Sequence, residues 1–156
     1  HSKCAGFFVR KASNPLGLDR GRLITIDATQ PFTYQNIVFM HNGSINAPDK
    51  IMKELQDPPM QPRSYNDSEV YFIIFIKYLN ELNDVYKAFS ETVKFITETY
   101  EKVKERSTNA PEHAYTALNT IVANGTHLYV LNKYTSEYFG TVSDPKRDYY
   151  KDELQG

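Results

Sequence analysis

A single cysteine in 156 residues leaves nothing to form an internal disulfide, so a reducing compartment, the cytoplasm, is the expected location. No apolar run is long enough to cross a bilayer, and no secretory signal pattern is visible. Neither sign of charge dominates: 18 Lys and Arg stand against 19 Asp and Glu. Nucleic acid and anionic membranes are therefore not expected as partners. His41, His113 and His127 show no metal-ligand spacing. The chain also lacks the glycine patterns of a Walker A loop or a dinucleotide fold, so neither a metal nor an organic cofactor is expected. Aromatics are plentiful, with 12 Tyr and 9 Phe. The length suits one domain, residues 1–156, with a sizeable core.

The pattern of apolar residues points to an α+β layered fold. Leu23–Ile26 reads as a short strand, and Ile37–Met40 as a second that ends at Asn42-Gly43, a turn signal. Asn46-Ala47-Pro48 reads as a helix start, and Asp57-Pro58-Pro59 as its stop. Asn66 or Asp67 caps a helix over Ser68–Leu82 that is apolar on most faces, as in a helix buried between layers. Val85, Phe89, Val93, Ile96, Tyr100 and Val103 then mark an amphipathic helix capped by Asn83-Asp84. After a linker at 107–111, strands are expected over Leu118–Ala123, Leu128–Leu131 and Tyr138–Val142, the first two joined by an Asn124-Gly125 hairpin turn.

Several residues carry two readings. Asn42-Gly43 is either a plain hairpin turn or an oxyanion hole, with an amide side chain and a backbone N–H aimed at one developing charge. Glycine lets the backbone approach a substrate closely. Asp67 is either a helix N-cap or a carboxylate that holds a substrate ammonium, and one carboxylate has acceptor positions for both. Arg10 is either a surface cation or, with Asp67, half of an amino-acid clamp, its guanidinium on the α-carboxylate. Ser13 would add a donor to that carboxylate. Cys4 is either a small buried apolar group or a thiol nucleophile activated by a nearby base.

Four ordered phrases decide among these readings: Arg10-Lys11-Ala12-Ser13, Gln30-Pro31-Phe32, His41-Asn42-Gly43 after a strand, and Asp67-Ser68-Glu69 at a helix start. In order and approximate spacing they resemble the class II glutamine amidotransferases, a branch of the N-terminal-nucleophile (Ntn) hydrolases. The match covers roughly residues 4–82. The stretch from Thr116 to Leu131 also resembles the short, stand-alone members.

The resemblance implies a four-layer αββα sandwich. It implies that Arg10 and Asp67 hold the carboxylate and amine of glutamine, and that Asn42 and Gly43 form the oxyanion hole. In the family the nucleophilic cysteine is the first residue of the mature chain; here Cys4 follows His1-Ser2-Lys3, and with those residues removed it would attack the side-chain amide with its own α-amino group as base. Family members carry a longer stretch between nucleophile and arginine phrase than the five residues found here, so a further segment between Phe8 and Val9 is expected. Phe8 stands where the family usually has His. The expected products are ammonia and glutamate. Glutamine or a γ-glutamyl compound is the expected substrate, and any ammonia acceptor would sit on a separate synthase subunit. Two other functions fit the same residues: a non-catalytic glutamine-binding or interaction module, and a hydrolase of γ-glutamyl amides.

Overall fold

The computed structural model describes residues 25–64, 66–105 and 109–135. Over these the chain is mixed α+β. A four-stranded antiparallel sheet of order β1-β2-β3-β4 is built from β1 (Phe32–Tyr34), β2 (Ile37–Ile45), β3 (Tyr115–Ala123) and β4 (Leu128–Leu131). Three helices, α1 (Pro48–Glu54), α2 (Asp67–Leu82) and α3 (Val85–Lys104), lie between β2 and β3 in sequence. Among the described residues no helix is long and apolar enough to cross a membrane.

The core lies between α2 and one face of the sheet. Side chains alternate across a strand, so Ile37, Phe39, His41 and Ile45 of β2 face the helix with Leu118, Thr120 and Val122 of β3. Phe39 is fully buried beneath α2, in ring contact with Tyr71, Phe72 and Phe75. Every residue of α2 from Ser68 to Ile76 is buried. Such a helix must be covered on more than one side, and α1 and α3 supply the remaining cover. The opposite sheet face carries no described helix. There Met40 pairs with Ile121, and Ile121 with Val130. Val130 and Leu128 remain mostly exposed.

The helices and the Asn124-Gly125 hairpin stand where their sequence signals place them. Asp84 caps α3 through the N–H groups of Tyr86 and Lys87, and Gly125 has φ +87° in its turn.

Two expectations are corrected, and one open alternative is resolved. Thr25 and Ile26 belong to no strand. The Thr25 carbonyl and hydroxyl accept from the Ala28 N–H, and the Thr29 hydroxyl donates back to the Thr25 carbonyl. These bonds close local turns and leave Ile26 exposed. Asn42-Gly43 does not end β2. The strand runs on to Ile45 because β3 supplies a partner for each residue, Asn119 for Asn42 and Leu118 for Gly43. Of the two alternatives for the α2 cap, Asn66 takes the role, its side chain accepting from the Ser68 N–H, and Asp67 is the first helical residue. The short strand β1 had no expectation set on it. The expected strand Tyr138–Val142 lies outside the described residues.

Candidate active site

At the start of α2 four consecutive side chains each bond to a different part of the chain, two of them to β2. Asn66 donates to the Ala28 carbonyl at 2.7 Å. Asp67 accepts the Ile45 N–H at 2.8 Å. Ser68 lies 2.9 Å from Nδ1 of His41. Glu69, itself buried, accepts from the N–H groups of Arg63 and Ser64 and from the Ser64 hydroxyl. Two carboxylates in the first turn also sit favourably on the positive end of the helix dipole. The phrase Asn66-Asp67-Ser68-Glu69 therefore serves as a junction between the loop before β1, the edge of β2, and the loop before α2.

On β2 the hydrogen-bond directions alternate as in any extended strand. The N–H groups of Ser44 and Asn46 point toward β3, where they meet the Thr116 hydroxyl and the Ala114 carbonyl. Those of His41 and Ile45 point the other way. The Gln30 side chain takes the place of a strand at His41: its oxygen accepts the His41 N–H and its amide donates to the His41 carbonyl. Asp67 takes the Ile45 N–H. Alternation sends the Gly43 N–H to this same edge, past the end of β1, which pairs with β2 only as far as Phe39. Gly43 thus lies between a clamped residue on one side and a carboxylate on the other.

Gly43 is held there by β3. Its φ is +148°, and a Cβ on it would fall 2.0 Å from the Ala117 carbonyl oxygen and 3.0 Å from Nε2 of His41. No other residue fits. The Asn42 side chain lies on the opposite, open face, beside Asn119, and is exposed.

His41 sits directly under this edge, 1% exposed. Its Nε2 is 3.1 Å from the Ala117 carbonyl oxygen, which can only accept, so Nε2 carries the proton. In the neutral ring Nδ1 is then bare and accepts from the Ser68 hydroxyl. Burial lowers the His41 pKa, against the smaller opposing effects of the Ala117 carbonyl and the Asp67 charge. Tyr71 meets the ring edge-on at 5.0 Å. Burial raises the Tyr71 phenol above its ordinary range, and its hydroxyl lies 3.0 Å from that of Thr120.

Of the six residues singled out from sequence, the structure brings together Asn42, Gly43 and Asp67, within one strand and the helix that meets its end. Cys4, Arg10 and Ser13 lie outside the described residues. Gln30, His41 and Ser68 were part of the recognised phrases but carried no assigned role. One signal was available for His41: in the alternation Ile37, Phe39, His41 it is the polar residue on a core face, and a buried polar group needs partners.

Comparison of the chain with family models, with curated proteins and with solved structures finds no match to any of the three.

Proposed function

We propose that this chain is an Ntn-type amidohydrolase of the class II glutamine amidotransferase kind, acting on the side-chain amide of glutamine. The observation that carries this reading is the edge of β2, where the Gly43 N–H and the Asp67 carboxylate stand two strand residues apart. Two residues span about 7 Å of strand. The α-amine and side-chain carbonyl of an extended glutamine are separated by about 6 Å. Asp67 accepts the Ile45 N–H through Oδ2, which leaves acceptor capacity for an ammonium group.

In this reading the amine of glutamine binds Asp67, and Arg10 and Ser13 hold the carboxylate. Once His1-Ser2-Lys3 is removed and the Cys4 nitrogen is a free amine, the thiol gives its proton to that α-amino group, and its sulfur attacks the amide carbon. The carbonyl electrons move to oxygen, where the Gly43 N–H and the Asn42 amide stabilise the charge. The oxyanion collapses, the C–N bond breaks, and the proton passes to the departing nitrogen as ammonia forms. Water then adds to the glutamyl thioester and releases glutamate and the thiol. The steps balance without a metal or an organic cofactor. The reading includes the four-layer αββα arrangement, in which a second sheet lies on the open face. The exposed apolar side chains of Leu128 and Val130 on that face support it.

Ammonia release from glutamine, measured on the chain with Cys4 as its first residue, tests the proposal. Turnover that disappears in Cys4→Ala is the expected result. Glutamine binding without turnover in the unsubstituted chain would replace this reading with that of a non-catalytic glutamine-binding module.

A further inference from the structure

We propose that His41 is a positioning residue whose ring sets the Gly43 N–H and the Asp67 carboxylate at their working separation. The inference rests on the reading of the site given above and adds to it a residue that touches neither substrate nor nucleophile.

Two bonds leave the ring in different directions, and each ends beside one arm of the site. Nε2–H holds the Ala117 carbonyl. That carbonyl is the atom packed against Gly43, at 2.0 Å from the position a Cβ would take. Nδ1 accepts from Ser68, the residue that follows Asp67 in the first turn of α2. One rigid ring therefore refers the oxyanion donor and the amine-binding carboxylate to each other across the junction of β2, β3 and α2. The main chain of His41 is fixed in turn by the Gln30 amide, and its ring by the edge contact with Tyr71. No other described side chain bonds to both β3 beside Gly43 and α2 beside Asp67.

The two bonds predict separable effects. His41→Gln keeps an N–H donor at the reach of Nε2 and loses the acceptor for Ser68. His41→Asn keeps an acceptor at the reach of Nδ1 and loses the donor to Ala117. A misplacement of the reacting groups by about 1 Å costs up to about 100-fold in rate, so partial losses of about 10-fold are expected here. His41→Gln should raise the KM for glutamine by about 10-fold with kcat little changed, and His41→Asn should lower kcat by about 10-fold with KM little changed. Ser68→Ala removes one hydroxyl without touching the ring, and should raise KM while sparing kcat. It serves where a His41 variant fails to fold.

Steady-state kinetics of glutamine hydrolysis by the chain with Cys4 as its first residue read these values, with thermal melts to confirm folding. A split of KM from kcat along these lines supports the positioning role. Folded variants that change both parameters together, or neither, overturn it and leave His41 a packing residue. An unsubstituted chain without glutamine turnover overturns the reading of the site itself, a separate outcome.

Discussion

The carboxylate of Asp67 accepts the N–H of Ile45 at 2.8 Å, so the first residue of α2 is bonded to the last residue of β2. A group that binds a substrate ammonium would thereby also close the strand edge on which the oxyanion donor sits. Under the proposed function, binding and architecture share one side chain, and substitutions at Asp67 should separate them.

Asp67→Asn keeps an oxygen acceptor for Ile45 and loses the charge. Stability should change by less than about 1 kcal/mol, as for an exchange that retains a hydrogen bond. The KM for glutamine should rise by about 10-fold or more, since a neutral amide holds an ammonium poorly. Asp67→Ala should lose about 1–3 kcal/mol as well, because the Ile45 N–H is left without its acceptor. Urea unfolding and kinetics on the two variants separate the effects.

Gly43→Ala should be among the most destabilising single substitutions in the described part of the chain. Its methyl group would overlap the Ala117 carbonyl, which belongs to the β3 backbone and cannot swing aside. A loss of about 3 kcal/mol or more is expected. Gly125→Ala is the control. It has φ +87° but open space around it, so only the backbone strain of about 1–2 kcal/mol applies. Equal losses at the two positions would contradict the close approach at Gly43.

Stability should fall on mild acidification in a way that depends on His41. The folded protein holds this imidazole below its ordinary value of 6.5, chiefly through burial. The unfolded chain takes up the proton first, so the contribution is fully present above about pH 6.5 and is lost as pH falls from there toward the lowered folded pKa. Asp67 and Tyr71, which face the ring, remain in place in His41→Gln. Melting temperatures between pH 7 and pH 5 should therefore drop more steeply for the unsubstituted chain than for His41→Gln.

Gln30→Ala should open the β2 edge locally. The side chain makes two bonds to the His41 main chain in a buried setting, and their loss should cost about 2–3 kcal/mol. Hydrogen exchange at the His41 amide should quicken well beyond the change at Phe39, which keeps its pairing with Phe32.

Much of this fold is written in short stretches of chain. The run Val70–Ile76 is apolar on every face, and a helix of that kind has only one place to go, between layers. Asp84 before the period of Val85, Phe89, Val93 and Ile96 marks the α3 start, and Asn124-Gly125 the β3–β4 turn. Each signal acts within a turn or two of backbone, so neighbours along the chain suffice to read it.

Asn42-Gly43 shows where that reading stops. The same dipeptide type makes a turn at 124–125 and a continuous strand at 42–43. What differs is β3, whose residues 117–119 pair with 42–44 from more than seventy positions away. Asp67 shows the same limit. As a helix-start residue it is legible, but its partner Ile45 is set by how α2 docks on the sheet.

The sequence by itself determined which of the described segments are helices and where the β3–β4 hairpin turns. Only the tertiary structure decided that β2 continues through Gly43, that Asn66 rather than Asp67 caps α2, and that the His41 proton sits on Nε2. The physical reason is range. Propensity, capping and side-chain period are settled by bonds between near neighbours. Strand partners, close backbone approach and the tautomer of a buried imidazole are settled by groups that only packing brings together.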